Sequence, residues 1–211
     1  MSSEITLVPV EMAGKGARMF EPLYKNWEEA LCDIYDFIIN KIDPGEEYAI
    51  FGHSMGSWIT YEILKILCKK GIPQPKQVFF SGNTPPFMIP KEEKISGLPD
   101  SEFMRKILEM GDTPKEVFAE EIRDFFLPQM KNDYKLVESY RHCFEDINYG
   151  GGINVFYGKY DSVTKSEAEQ WKKYRHNSFG MYEFESGHMF IKDCAGEVVS
   201  LINSILRKDV I

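Results

Sequence analysis

The most constraining stretch of this chain is an apolar run that ends in a Gly-x-Ser-x-Gly turn, Glu47-Tyr48-Ala49-Ile50-Phe51-Gly52-His53-Ser54-Met55-Gly56, directly before a helical pattern. The order strand, turn, helix predicts a nucleophile elbow, in which the serine adopts a strained backbone conformation and its hydroxyl stands clear of the sheet. We expect glycine to be required at positions 52 and 56, because a side chain at either position would block the close approach of strand and helix. Ser54 is therefore the candidate nucleophile. The Met55 N–H, at the helix N-terminus, is the candidate donor to an oxyanion.

Strand and helix patterns alternate along the first part of the chain. Ile5 to Val10 is a short β-branched run, and residues 27–41 carry apolar side chains at helical spacing. The elbow strand follows, then a largely apolar helix around Trp58 to Leu67 and a strand at Gln77 to Ser81. This alternation predicts an α/β fold with a mostly parallel sheet flanked by helices.

The alternation breaks at residues 83–149, where helical patterns replace strands near Asp100–Met110, Lys115–Leu127 and Gln129–Phe144. We predict that this segment is a helical lid inserted into a single domain that spans residues 1–211. Its apolar residues either line a channel or hold the helices together. They are Phe87, Met88, Phe103, Met104, Phe118, Phe125, Phe126, Leu127 and Met130.

The sheet pattern resumes after the insertion. Ile153 to Tyr157 reads as a strand, followed by a polar loop and a helix from about Lys165 to Tyr174. Met181 to Phe184 is the last predicted strand, and apolar residues from Val198 to Leu206 mark a terminal amphipathic helix.

A serine hydroxyl needs a base to remove its proton, and the chain contains four histidines. His53 adjoins Ser54 and cannot easily fold back onto it. His142 lies in a helical pattern of the insertion, and His176 lies in a polar stretch. His188 follows the last predicted strand on a Gly-His turn, at the edge of a parallel sheet where ligands bind. His188 is therefore the candidate base.

Asp161 lies in the loop after the preceding strand, where it is placed to orient the His188 imidazole through Nδ1. Taken alone, such an aspartate is more often an ordinary loop acid. The chain order Ser54, Asp161, His188 is nevertheless that of the α/β-hydrolase fold, with each residue after a predicted strand.

Composition excludes several other classes of function. A net charge of −8 argues against sequence-independent nucleic-acid binding, which depends on Lys and Arg. No apolar run approaches the roughly 18 residues of a membrane span, and no secretory signal is visible, so we expect a cytoplasmic protein. The cysteines are too scattered for a zinc site and predict reduced, mostly packed thiols, and we expect no metal. They are Cys32, Cys68, Cys143 and Cys194.

Further specific patterns are spread along nearly the whole chain. They are Pro9-Val10-Glu11-Met12-Ala13-Gly14-Lys15-Gly16-Ala17-Arg18 with Glu21-Pro22-Leu23, Phe51-Gly52-His53-Ser54-Met55-Gly56, Phe80-Ser81-Gly82-Asn83, Leu98-Pro99-Asp100 with Phe103, Gly111-Asp112-Thr113-Pro114, and the Asp161 and Gly187-His188 loops. In these stretches the chain resembles the type II thioesterases that accompany nonribosomal peptide and polyketide synthases.

The resemblance implies an editing hydrolase that cleaves acyl groups from the phosphopantetheine thiol of carrier domains, without a cofactor of its own. Its partners would be acyl or peptidyl carrier domains, and the insertion would be a lid over the acyl and pantetheine channel. Two alternatives stay open. One is an esterase or acyltransferase that uses the same triad on a free small substrate, and the other is a hydrolase-fold binding protein that has lost turnover.

The front of the sequence departs from this family. Its members open with a strand, an alanine- and glycine-rich loop and a helix, and the loop supplies a second oxyanion N–H. That strand would lie between Ile5–Val10 and the elbow strand, and the pattern is absent here. We therefore expect the chain to be an incomplete version of a longer functional protein, less stable and less active than an extended form.

Overall fold

The computed structural model of the chain describes residues 5–43, 45–89, 94–111, 113–143, 145, 147–174 and 177–208. Its contacts divide these residues into two units, each assembled from separate stretches of sequence. The first comprises the described parts of 1–9, 42–89 and 143–211, and the second those of 10–41 and 90–142.

The described residues form seven α-helices and four β-strands. In chain order the helices are α1 (Trp27–Ile39), α2 (Met55–Lys70), α3 (Asp100–Met110), α4 (Glu120–Ser139), α5 (Lys165–Ala168), α6 (Phe190–Asp193) and α7 (Ala195–Lys208). The strands are β1 (Ala49–His53), β2 (Gln77–Ser81), β3 (Gly152–Gly158) and β4 (Phe179–Phe184).

The four strands belong to the first unit and form one sheet in the order β1-β2-β3-β4, with every pair parallel. β2 and β3 are buried along their whole length, as expected of the central strands of a sheet covered on both faces. The predicted parallel sheet is confirmed.

Two consecutive residues of β2 show that both faces of the sheet are covered. Phe79 joins an apolar cluster with residues of α7, whereas the neighbouring Phe80 stacks on Trp171 with ring centroids 3.8 Å apart. Successive side chains of a strand point to opposite faces, so helical segments cover both sides of the sheet. The α7 cluster consists of Phe79, Phe156, Phe184, Phe190, Val198, Ile202 and Ile205.

The strand predicted at Ile5–Val10 is wrong, because these residues form no strand in the structure. The side chains of Leu7, Val8 and Val10 are 68%, 45% and 42% exposed. Among the described residues β1 pairs only with β2, so Ile5–Val10 is not part of the sheet ladder. The strand that carries the elbow is thus an edge strand of the described sheet.

The second unit contains α1, α3 and α4. α3 has the predicted bounds, but the two helices predicted at Lys115–Leu127 and Gln129–Phe144 are wrong. A 3₁₀ turn at Lys115–Phe118 precedes a single 20-residue helix, α4, with Pro128 inside it. An interior proline costs about 3 kcal/mol, and burial of Leu127 and Leu136 on the same helix offsets that cost. Phe144 lies outside the described residues.

Several apolar residues of the insertion hold helices together within the second unit. Phe103 and Leu127 are buried in a cluster with Ile95 and Ile107. Met104, Phe118 and Met130 pack against this cluster. For these residues the helix-packing interpretation is confirmed, while a lid over the active site stays a prediction.

The cysteines are less buried than expected. All four are free, but Cys32 and Cys143 are exposed and the other two are half-buried. The prediction of mostly packed thiols is therefore wrong. No helix within the described ranges combines the length and apolar character needed to cross a membrane.

Candidate active site

β1 leads through a single residue, Ser54, into α2. Ser54 has φ 54° and ψ −122°, and it is the only described non-glycine residue with a positive φ. Such a conformation costs on the order of 1–3 kcal/mol and persists only where the surroundings impose it. The Ser54 N–H donates to the Ser81 carbonyl at 2.8 Å, which ties the turn to the end of β2. The structure thus contains the predicted strand–turn–helix geometry.

The two glycines of the turn differ in their surroundings. A Cβ placed on Gly52 would lie 2.0 Å from the Gly56 carbonyl oxygen and 2.4 Å from Thr60 Oγ1. A Cβ placed on Gly56 would meet nothing within 4 Å. The prediction that Gly56 must lack a side chain is therefore wrong, because the close approach is made by the Gly56 backbone against Gly52.

His188 and Asp161 lie together on adjacent loops that follow β4 and β3. His188 Nδ1 and Asp161 Oδ2 are 3.0 Å apart, and the Asp161 side chain is 1% exposed against 23% for His188. The two loops touch through their backbones: the Tyr160 N–H donates to the Ser186 carbonyl at 3.0 Å. This contact explains why residues 27 positions apart form a stable pair.

The Asp161 carboxylate is held in its charged form. Burial is the largest influence and raises its pKa, but the hydrogen bond and charge of His188, with bonds from the Val163 N–H and the Ser162 hydroxyl, together outweigh burial. The net effect is a pKa below the ordinary aspartate value. A charged carboxylate at Nδ1 favours the tautomer with the proton on Nδ1, so Nε2 of His188 is left to accept a proton.

This pair makes stability depend on pH. A lowered pKa in the folded state contributes stability that is fully present above the unfolded-state value of about 3.9 and is lost as the pH falls through the folded value. We expect the free energy of unfolding to drop more between neutral and acidic pH for the natural protein than for Asp161→Asn. Urea titrations at a series of pH values measure this difference. Asp124→Asn, whose carboxylate is 83% exposed, is the control, and an equal drop in all three proteins would contradict the expectation.

His53 is the neighbour of His188 that sequence reasoning missed. Its ring centroid lies 5.0 Å from that of His188, and its Nδ1 is 2.9 Å from Ser81 Oγ. Burial, followed by the charge of His188, lowers the pKa of His53 to about 4, against an opposing influence of Asp161. A neutral His53 therefore packs beside His188. Its position next to Ser54 in sequence was the available signal, because β1 ends at the same sheet edge as β4.

Of the two remaining histidines, the structure describes His142. His142 lies beyond the end of α4 at Ser139, so its predicted helical position is wrong. It is half-buried in the second unit. His176 lies outside the described residues. Gly82 lies against the imidazole rings of both His53 and His188. A Cβ at this position would lie 2.7 Å from His53 Cε1 and 3.3 Å from His188 Cε1.

Comparison with known proteins identifies the family of this chain. A family model described as a thioesterase domain matches residues 1–206. The linear gramicidin dehydrogenase LgrE of Brevibacillus parabrevis is 28% identical over 209 residues, which cover 97% of this chain and 78% of LgrE. Although the name of LgrE denotes a dehydrogenase, this chain contains no complete Gly-x-Gly-x-x-Gly dinucleotide-binding turn.

Solved structures agree with the family model. ClbQ from the colibactin NRPS/PKS pathway is 32% identical with a TM-score of 0.91, covering 99% of this chain and 88% of ClbQ. The RedJ thioesterase from the prodiginine pathway of Streptomyces coelicolor is 25% identical with a TM-score of 0.77, covering 90% of this chain and 71% of RedJ. These likenesses confirm the predicted α/β-hydrolase fold. Because one family model spans nearly the whole chain, this protein belongs to the thioesterase family.

Proposed function

We propose that this protein is a serine thioesterase that hydrolyses acyl groups from the phosphopantetheine arms of carrier domains in nonribosomal peptide or polyketide synthases. Family membership supports the thioesterase chemistry. The name of ClbQ refers to an NRPS/PKS pathway and that of RedJ to a thioesterase of a biosynthetic pathway, and both support the carrier-bound substrate. Such an enzyme would clear stalled or incorrect acyl groups and regenerate the carrier thiol.

The catalytic roles follow from the chemistry of the three side chains. Ser54 Oγ attacks the thioester carbonyl while Nε2 of His188 takes the hydroxyl proton, and Asp161 stabilises the resulting imidazolium. The Met55 N–H donates to the oxyanion of the tetrahedral intermediate. Collapse of that intermediate releases the pantetheine thiol, which receives its proton from His188. A water molecule then attacks the acyl-serine while His188 takes one of its protons, and His188 gives that proton to Ser54 Oγ as the acid is released.

The observation that carries this proposal is the Asp161–His188 hydrogen bond of 3.0 Å, with the His188 ring 5.0 Å from that of His53, the residue before the strained Ser54. Strained backbone at a serine is retained only where the fold requires it. A buried carboxylate that holds a histidine in one tautomer is the arrangement that nucleophilic catalysis by serine needs.

We expect the enzyme to prefer acyl groups on a carrier domain to the same acyl groups on coenzyme A or in a simple ester. A carrier domain adds protein contacts to the shared thioester, so kcat/KM should rise about tenfold or more above that for acyl-coenzyme A, since 1.4 kcal/mol of added binding corresponds to a factor of ten. Release of a single labelled acyl group from all three substrates measures this preference. A higher kcat/KM for the free ester would favour a small-molecule esterase instead.

A serine-directed fluorophosphonate separates an active enzyme from a binding protein of the same fold. Labelling at Ser54, located by peptide mapping, requires a nucleophilic hydroxyl with a working base. Lack of labelling in a sample that unfolds cooperatively would contradict the catalytic proposal.

A further inference from the structure

We propose that Asn83 is a positioning residue for the oxyanion donor: its side-chain amide holds the Ser54–Met55 peptide so that the Met55 N–H faces the reacting carbonyl. The proposal rests on the thioesterase function proposed above. It concerns a residue outside the Ser54, Asp161, His188 triad.

The key contact is a hydrogen bond from Asn83 Nδ2 to the Ser54 carbonyl oxygen at 3.0 Å. That carbonyl and the Met55 N–H belong to the same peptide unit, which is planar and trans. In such a unit the C=O and N–H point in opposite directions, so fixing the oxygen also fixes the direction of the N–H. The Asn83 amide therefore sets the direction of the Met55 N–H through the Ser54 carbonyl, without contacting that N–H itself.

The Ser54–Met55 peptide needs this support. With φ 54° and ψ −122°, Ser54 is in a region that L-residues seldom occupy, and rotation of the following peptide plane is one way to relieve it. Such a rotation would turn the Met55 N–H away from the site. The Ser57 N–H also donates to the Ser54 carbonyl, at 2.9 Å. The two donors oppose the rotation and polarise the peptide, which strengthens its N–H as a donor.

Asn83 is itself held in one orientation. Its Oδ1 accepts from the Thr84 N–H at 2.8 Å, so Nδ2 is the atom that faces Ser54. A flipped amide would set Oδ1 against the Ser54 carbonyl oxygen and lose both bonds. The amide orientation therefore follows from its two partners.

Two tryptophans anchor the loop that carries Asn83. Trp171 Nε1 donates to the Asn83 carbonyl at 2.8 Å, and Trp58 Nε1 donates to the Thr84 carbonyl at 2.8 Å. Trp171 is fully buried and stacks on Phe80 with an interplanar angle of 6°. The loop is thus fixed independently of the Asn83 side chain, which is what a rigid positioning group requires.

The test compares Asn83→Ala with Trp171→Phe. Asn83→Ala removes the amide bond to Ser54, whereas Trp171→Phe removes one loop anchor and leaves that bond in place. We expect Asn83→Ala to lower kcat about 10- to 100-fold with less than about a threefold change in KM, because the lost interaction acts in the transition state. Trp171→Phe should lower the melting temperature, and it should lower kcat less than Asn83→Ala does.

A transition-state mimic gives a second readout that a merely structural role would not move. Phenylboronic acid adds to a serine hydroxyl and places a negatively charged oxygen at the oxyanion position. Its affinity should fall in Asn83→Ala by a factor close to the fall in kcat/KM. Affinity and kcat within twofold of the natural protein, or a loss seen only in KM, would overturn the proposal.

Asn83→Asp provides the answer if the alanine variant does not fold. It keeps an oxygen for the Thr84 N–H but replaces the Nδ2 donor with a carboxylate oxygen, so the hydrogen bond to the Ser54 carbonyl cannot form. Unchanged kcat in this variant overturns the proposal. A natural protein that hydrolyses no thioester would instead contradict the proposed function. Equal activity of the natural protein and the Asn83 variants would contradict this inference alone.

Discussion

Ser54→Ala is expected to lower kcat for acyl release from a carrier domain by about 10⁴-fold or more, because loss of a nucleophile removes the covalent route that the other triad members serve. Binding of the acylated carrier should be retained, since the hydroxyl is a small part of that interface. The measurement is single-turnover release of a labelled acyl group at saturating enzyme.

The fold should survive this change. Alanine at φ 54° carries a strain similar to that of serine, so the melting temperature should stay close to that of the natural protein. Ser54→Gly extends the comparison, because glycine accepts a positive φ and should raise stability by about 1 kcal/mol while activity is still lost. Ser204→Ala, an exposed serine on α7, is the matched control with full activity expected. Unchanged acyl release by Ser54→Ala would rule Ser54 out as the nucleophile.

Gly52→Ala is expected to be the most destabilising single methyl addition at the elbow, costing at least about 3 kcal/mol. The added Cβ would lie 2.0 Å from the Gly56 carbonyl oxygen, an atom of the α2 backbone that cannot rotate away. Relief requires α2 to move off β1, which would also displace Ser54 between them. Urea unfolding followed by far-UV circular dichroism measures the loss.

Gly56→Ala is the matched control, four residues away on the same turn. Its Cβ would meet nothing within 4 Å, and alanine is favoured over glycine inside a helix by about 1 kcal/mol. We expect the free energy of unfolding to stay the same or rise. If Gly52→Ala were as stable as Gly56→Ala, the close approach of strand and helix would not be what makes glycine necessary at position 52.

The parts of the fold that sequence predicted well are those with a local signal. β2 at Gln77–Ser81 and α3 at Asp100–Met110 have the predicted bounds because apolar runs and flanking turn residues mark them clearly. The Asp161 and His188 loops were placed from a general rule, that the carboxyl ends of parallel strands share an edge. Their hydrogen bond follows from that rule once β3 and β4 are neighbours.

The parts that sequence could not predict depend on partners far along the chain. Ile5–Val10 has strand-like residues, but a strand exists only where its backbone groups pair with those of another strand, and these residues pair with none of the described strands. Pro128 predicts a helix boundary, but α4 continues past it because burial of Leu127 and Leu136 stabilises the helix on both sides of the proline. The roles of His53 and Asn83 arise from contacts with His188 and with the Ser54 carbonyl. The ends of β1 and β2 place both residues at one sheet edge, but the sequence alone does not specify which atoms meet there.

The edge position of β1 bears on how this enzyme loses activity when it is warmed. Among the described residues, β1 is held through backbone hydrogen bonds on one side only, by β2. Edge segments open locally at a lower free energy than the central strands of the same sheet. Because Ser54 directly follows β1, each such opening carries the nucleophile out of register with His188. Inactivation should therefore precede the loss of secondary structure. The half-life of the activity should depend on the rate at which β1 opens locally rather than on the rate at which the whole protein unfolds.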